Sequence, residues 1–243
     1  MNYTDIVTAL STLTATPSTE ANFAAILPSV FAYADGRIYR ELDMMAANVR
    51  DSTSSTTSLS RNFTLPTTYG TFLVVDGINI VTPASTAPDS GTRNPLRPAS
   101  RDYLDLAWPS TTGAAAPQFF AYLSQNTYLS PAPTQVIFGP WPDATYRVEV
   151  IGKIQPAVLS ASNTNTYLTD NLSDLYIAAC MVFLSGYMHN FGAQADDPKM
   201  SQSWESQYQT LKASADTYEA RKRFAGASWT SKQVEPTAQP QRG

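Results

Sequence analysis

The amino-acid sequence predicts an α+β fold, in which helices from both ends of the chain form one bundle and an antiparallel β domain is inserted between them. Apolar residues recur every three or four positions in residues 1–50 and again in residues 166–226. Within residues 145–154, apolar and polar side chains alternate, which is typical of a strand with one solvated face. A Ser- and Thr-rich stretch at 51–60 separates the first helical block from the strands.

The first block, residues 1–50, is predicted to contribute the N-terminal helices of the bundle. A short helix begins at Thr4 or Asp5 and presents one apolar face: Ile6, Leu10 and Leu13. A second segment opens at residues 17–20 and runs to Leu27, and Pro28 is expected in a first turn, where its missing N–H costs little. The stripe that follows consists of Phe31, Ala34, Ile38, Leu42 and Met45.

The inserted β domain is predicted to span residues 61–160. Apolar runs at 72–75 and 78–81 flank Asp76-Gly77, a dipeptide that accepts the positive φ angles of a tight hairpin turn. Residues 82–100 are rich in Pro, Ser and Thr and are expected to form a long exposed loop. Further strands are predicted at 119–123, 135–138 and 145–154, with a turn at the prolines of 140–143.

The last block, residues 166–226, is predicted to form a helical hairpin that completes the bundle. Asn171 and Asp174 resemble a capping box, Gly192 is the expected end of that helix, and Asp197-Pro198 begins the next. The seam of the last helix against its predecessor is Trp204, Tyr208, Leu211, Ala215 and Tyr218. Residues 227–243 are polar and aperiodic, so a flexible C-terminal arm is expected.

Composition and charge exclude several classes of protein. The net charge of −4 argues against a protein that grips nucleic acid through its phosphates. One cysteine, Cys180, excludes an internal disulfide, and a single histidine, His189, excludes a His-clustered metal site. The start of the chain lacks the pattern of a signal peptide, and the apolar run 177–184 is too short to span a bilayer, so a soluble compartment is expected.

Candidate catalytic groups are few, and each has a simpler interpretation. Cys180 and His189 lie nine positions apart, about 13 Å along a helix, which is too far for a dyad. Asp102 and Asp105 are one pair among twenty acidic residues and are expected to be solvated surface charges. No glycine-rich phosphate loop is present in the sequence. We therefore expect no enzymatic activity, no cofactor and no catalytic or metal-binding residue.

A basic run near the end of the last helix is the best candidate for a partner interface. Arg221-Lys222-Arg223 either compensates the negative end of the helix or docks on an acidic surface or on phosphates. Trp229 lies in the polar arm, outside any core, and is a candidate interface anchor. The predicted interface with a partner protein comprises Arg221, Lys222, Arg223, Phe224, Trp229 and Val234.

Four segments together resemble the head-to-tail adaptor proteins of tailed bacteriophages, of the podovirus-like type. They are Tyr33–Asp43 (YADGRIYRELD), Leu65–Tyr69 (LPTTY), Phe138–Val148 (FGPWPDATYRV) and Asn165–Leu168 (NTYL). The resemblance covers about residues 5–224, and the order of the segments carries it more than any one of them.

The resemblance implies a structural subunit of the virion neck, synthesised in the host cytoplasm. It implies a homo-oligomeric ring, twelve subunits beneath the portal protein, that extends the DNA channel without binding the genome specifically. The β domain would face the tail or nozzle, and the flexible arm would become ordered on the portal. No membrane partner and no cofactor are implied.

Two other functions remain open at this point. One is another tail or capsid structural protein, although most fibres and decorations are β proteins and this chain is not. The other is a glycan-binding or glycan-hydrolysing tail protein, for which Trp108 and Trp141, if exposed, would supply the aromatic surface. A retaining glycosidase would need two carboxylates about 5 Å apart, and no spacing in the sequence predicts such a pair.

Overall fold

The computed structural model describes residues 1–123, 135–187 and 198–226, which divide into two compact units. The helical unit is built from residues 1–46 and from the described residues after 155. The β unit is built from the described part of residues 47–155. The α+β class is therefore confirmed: all the described helices except a short one at Arg101–Ala107 come from the two ends of the chain, and the strands lie between them in sequence.

The described elements follow one another in this order. The helices are α1 (Tyr3–Leu13), α2 (Ala21–Glu41), α3 (Arg101–Ala107), α4 (Tyr167–Asn171), α5 (Ser173–Tyr187) and α6 (Pro198–Gly226), and a short 3₁₀ turn occupies Met45–Ala47. The strands are β1 (Asn48–Asp51), β2 (Asn62–Thr64), β3 (Thr71–Thr82), β4 (Thr92–Pro95), β5 (Arg97–Pro98), β6 (Phe119–Leu123), β7 (Gln135–Gly139) and β8 (Arg147–Gln155).

Helix α5 is the centre of the helical unit and packs against α1, α2, α4 and α6. Its apolar composition fits this position, because a helix with neighbours on several sides needs apolar residues all round. Phe31 of α2 stacks on Tyr176 of α5, and both side chains are buried. The packing of α6 on α5 joins the two helices that the sequence pairs in a hairpin.

Three details of the helices differ from the sequence-based prediction. Pro28 lies inside one continuous helix, α2, instead of opening a new one, because a long apolar face holds the helix together across the missing hydrogen bond. Asn171 does not cap α5, which begins at Ser173: it is the last residue of α4, and its side chain donates to the Tyr167 carbonyl. Tyr218 is half exposed, so the predicted seam of α6 is buried only at Tyr208 and Ala215.

Two further helical predictions, Gly192 as a helix end and Asp197 as an N-cap, lie outside the described residues.

The β unit consists of two four-stranded sheets whose apolar faces form one core. Sheet A has the order β1-β8-β3-β4, and sheet B has the order β2-β7-β6-β5. All neighbours are antiparallel except β5 and β6. Most of the core side chains are aromatic or β-branched and come from both sheets, among them Phe63, Phe72, Ile78, Ile80, Phe120, Phe138, Val148, Val150 and Ile154.

The predicted hairpin turn at Asp76-Gly77 is wrong. Residues 71–82 form one strand, β3, which pairs with β8 along almost its whole length. Two bulges, between Phe72 and Val74 and between Val75 and Gly77, absorb the extra residues. Long pairing with β8 therefore overrides the local turn signal, and Gly77 lies at a bulge, which is another common place for glycine in a strand.

The predicted loop at 82–100 is also partly wrong, because it contains β4 and β5. The chain reverses after β3 and returns as β4, which pairs with the end of β3. Leu96 is buried in the core between the sheets. Burial of this side chain and the pairing of β4 with β3 place the Pro- and Thr-rich segment in a sheet, although its local composition predicts a loop.

Candidate partner interface

Helix α6 carries the basic run Arg221-Lys222-Arg223 in its last two turns. One face of this part of the helix is buried at Ala215 and Glu219. Arg221 and Phe224 are on the solvated side, and Phe224 is 85% exposed. The structure therefore separates the predicted interface residues into those that hold the helix in place and those that face solvent.

Glu219 is the anchor of this end of the helix. Its side chain is fully buried and accepts hydrogen bonds from the Met45 amide (3.0 Å), the Tyr167 hydroxyl (3.1 Å) and Lys222 Nζ (2.7 Å). Burial by itself would raise the pKa of Glu219, but these hydrogen bonds outweigh it and lower the pKa. The carboxylate thus stays ionised and joins α6 to α4 and to the 3₁₀ turn.

The other two cations of the run differ in their partners. Lys222 lies over the rings of Tyr167 and Tyr218, and its bonds to Glu219 and Tyr167 raise its pKa against the effect of burial. Arg223 Nη1 is 2.7 Å from Asp43 Oδ2, and both side chains are nearly half exposed. Lys222 and Arg223 therefore attach α6 to the rest of the helical unit, whereas Arg221 has no ion pair within the described residues.

A shallow groove of about 390 Å³ adjoins Arg221. Apolar and polar side chains from the end of α4, from α5 and from α6 line it together: Asn171, Leu172, Asp174, Leu175, Leu211, Ser214, Ala215, Thr217, Tyr218 and Arg221. Arg221, Phe224 and this groove form one surface at the end of α6. Trp229 and Val234, the two other predicted interface residues, lie outside the described residues.

The opposite half of α6 is fixed on α2 by a second ionic network. Arg37 donates to both carboxylate oxygens of Glu205 (2.8 and 2.5 Å) and stacks over the Tyr208 ring at 4.0 Å. Glu41 accepts from Arg37 Nε (3.0 Å) and from the Tyr208 hydroxyl (3.1 Å). Such a bidentate, stacked arginine fixes the rotation of one helix against another.

This network explains the polar residues of the segment 33–43. Asp35 accepts a hydrogen bond from the Leu159 amide, Arg37 and Glu41 hold α6, and Asp43 binds Arg223. The segment therefore serves the packing of the helical unit and contains no ligand-binding pattern. Sequence reasoning did not find these roles, because Arg37 and Glu205 are 168 positions apart.

The segment 138–148 has a comparable structural role in the β unit. At Gly139 a Cβ atom would lie 2.8 Å from both Leu104 and Trp108, so only glycine fits this close approach. The Trp141 indole donates to the Trp108 carbonyl (2.9 Å), and Arg61 lies over the Trp141 ring. The two tryptophans are half-buried and pack within the unit, so neither has the exposed position that the glycan-binding alternative requires of them.

The remaining candidate residues are Asp102, Asp105, Cys180 and His189. Asp105 pairs with Arg61 at 2.8 Å, and Asp102 is exposed in α3. Cys180 is buried in α5, where burial raises the pKa of its thiol, and His189 lies outside the described residues. Among residues 1–123, 135–187 and 198–226, no group of acidic, His and Cys side chains is arranged to hold a metal ion.

None of the helices in the described part of the chain has the length and apolar composition that crossing a bilayer requires.

The model of the SU10 adaptor protein family matches residues 1–231, which is nearly the whole chain. No curated protein matches the sequence.

Proposed function

We propose that this chain, which belongs to the SU10 adaptor protein family, is the subunit of a neck ring that lies beneath the portal of a podovirus-like phage. Family membership makes the chain a structural adaptor of a bacteriophage virion. The proposal adds the position of the ring, its twelve subunits and the attachment of the tail or nozzle. It also assigns residues 227–243 to a flexible arm, and residues 1–50, 61–160 and 166–226 to the bundle and its inserted domain.

The observation that carries the proposal is the arrangement of residues at the C-terminal end of α6. Glu219 and Asp43 contact Lys222 and Arg223, so this part of α6 is attached to the rest of the helical unit as far as Arg223. Arg221 and the 85% exposed Phe224 face solvent beside these contacts. An exposed aromatic beside an arginine is a common composition for the centre of a protein interface.

The portal is the partner that we assign to this surface. Arg221 and Phe224 would make the first contact, and Trp229 and Val234 of the arm would extend it. Ordering the arm costs conformational free energy, so binding would be strong only when many portal sites are presented together, as in a complete ring. Lys222 and Arg223 would contribute indirectly, by holding the helix end.

The charge of the chain supports passage of DNA without binding. Twelve copies of a chain with a net charge of −4 carry −48, which repels the phosphate backbone of the genome. A channel built from such subunits would let DNA slide through during packaging and ejection.

Co-sedimentation with purified portal rings tests the assignment. We expect truncation after Ala225 to weaken binding about tenfold or more, because it removes both apolar anchors of the arm. We expect Phe224→Ala and Arg221→Glu to weaken binding several-fold, whereas Arg97→Glu, an exposed arginine of the β unit, leaves it unchanged. Equal binding of the truncated and full chains would show that the arm is not part of the interface. Equal binding of all the variants would show that this whole surface does not bind the portal.

A further inference from the structure

Sheet A leaves part of β3 without a neighbour on one side. β3 pairs with β8 over residues 71–81, but β4 covers only residues 79–82 on the other side. The Leu96 amide reaches the Ile78 carbonyl (2.8 Å), and beyond this point the chain turns to sheet B. Residues 71–77 therefore form an open edge with respect to the strands of the described part of the chain.

The open edge has the composition of a strand that accepts another strand. Leu73 and Val74 are 47% and 51% exposed, and the stretch contains neither Lys nor Pro; of the features that protect edges it has two bulges and the charge of Asp76. The Val75 carbonyl accepts a bond from the Tyr122 hydroxyl (3.2 Å), a side chain that is itself half exposed. An extended chain laid along this edge would find backbone groups and two aliphatic side chains to pair with.

The opposite edge of the same sheet is β1, residues 48–51, which pairs only with β8 among the described strands. Arg50 of this strand is 59% exposed and lies 3.7 Å from Glu149. The Glu149 carboxylate already accepts shorter bonds from Arg93 (3.0 Å) and Asn79 (2.9 Å). Much of the Arg50 charge is therefore available to a neighbour.

The two edges complement each other in charge. Asp76, at the end of the open stretch of β3, is exposed and has no ion pair within the described residues. Arg50 is on one edge and Asp76 on the other. The β1 edge of a second copy would therefore bring a positive charge to the negative charge of the β3 edge. β1 and β3 are both antiparallel to β8, so they run in the same direction.

We propose that β1 of one copy pairs in parallel with residues 71–77 of β3 in the next copy, with Arg50 near Asp76, and that this continues sheet A from subunit to subunit. The contact joins two different surfaces, and a contact of this kind closes into a ring when the rotation allows it. The proposal rests on the ring of the proposed function and identifies one of its lateral contacts.

Cysteine cross-linking of the assembled protein tests the pairing. Arg50 and Val74 are on the same face of sheet A, so the double variant Arg50→Cys/Val74→Cys, treated with a short bis-maleimide in the presence of portal rings, should give a ladder of covalent multimers. Neither single variant should give a ladder, and Cys180 is buried and should not react.

The outcomes separate this contact from the ring itself. Dimers from Val74→Cys alone would mean a two-fold β3–β3 contact and would overturn the proposal. Rings seen by electron microscopy without a ladder would reject this lateral contact and leave the ring proposal intact. Absence of both rings and ladder would reject both.

Charge reversal gives an independent test. Arg50→Asp or Asp76→Arg alone should lower ring assembly about two- to fivefold, as expected for one exposed ion pair. The double variant Arg50→Asp/Asp76→Arg should restore it, whereas Arg97→Asp, on sheet B, should have no effect. Unchanged thermal unfolding of the isolated variants would exclude a folding defect. A double variant weaker than either single variant would contradict the pairing.

Discussion

The helical unit and the β unit use their charged groups in opposite ways. In the helical unit, buried or half-buried ions join helices that are far apart in sequence: Arg37 of α2 pairs with Glu205 of α6, and Glu219 of α6 accepts a hydrogen bond from Tyr167 of α4. In the β unit, the core between the sheets is apolar, and the buried Glu149 has its partners within sheet A. The helical unit thus uses charged groups to join its own helices, whereas in sheet A residues 71–77 of β3 have a neighbouring strand on one side only among the described strands.

The largest effect is expected in the apolar core of the β unit. Phe138 is buried and packs on Phe63 with ring centroids 5.3 Å apart, so Phe138→Ala should lower the free energy of unfolding by about 4 kcal/mol through the cavity it leaves. Phe224→Ala, at an exposed phenylalanine, is the control and should change it by less than about 0.5 kcal/mol. Urea unfolding measures both, and equal losses would contradict the assignment of the two residues to core and surface.

The ionic anchor of the helical unit should be the next most sensitive site. Glu219→Ala should cost about 3 kcal/mol, because the Met45 amide, the Tyr167 hydroxyl and Lys222 all lose the buried carboxylate that accepts their hydrogen bonds. Asp216→Ala, at an exposed acid of the same helix, should be nearly neutral. A neutral Glu219→Ala would show that the helix end is not fixed by this carboxylate.

Asp35 should make the helical unit sensitive to pH. Burial raises the pKa of Asp35 to about 7, although the hydrogen bond from Leu159 acts in the other direction. The folded state therefore binds the proton more strongly, and this group lowers stability progressively as the pH rises from about 4 to about 7.

The difference between Asp35→Asn and the natural chain isolates this effect. Asparagine can still accept from Leu159 but cannot ionise, so the variant should gain stability relative to the natural chain between pH 4 and 7, by at most about 4 kcal/mol. Thermal unfolding at a series of pH values measures it, with Asp216→Asn as the control. A pH-independent difference would mean that Asp35 is not protonated in the fold.

The smallest effect is expected for the exposed pair of Asp43 and Arg223, which lie 2.7 Å apart. A double-mutant cycle with alanine at both positions should give a coupling of less than about 1 kcal/mol that falls further in high salt. A coupling as large as the cost of Glu219→Ala would contradict the expectation that exposed ionic contacts contribute less to stability than buried ones.

Periodicity in the sequence was sufficient to predict the helices at both ends and the strands 119–123, 135–138 and 145–154, because these depend on which face is buried. It failed where a distant partner decides the local structure. Pairing with β8 keeps the chain extended at Asp76-Gly77, where local sequence predicts a turn. Burial of Leu96 in the core places a Pro-rich segment in a sheet, where local sequence predicts a loop. The basic run was visible in the sequence, but its partners Asp43, Tyr167 and Glu219 were not, since only folding brings them together.

The most direct test of the proposed function is electron microscopy of the purified chain mixed with portal rings. We expect a second ring, coaxial with the portal, whose contact with it is lost on truncation after Ala225. Particles that show the portal alone, or subunits bound without a coaxial ring, would contradict a neck adaptor role beneath the portal.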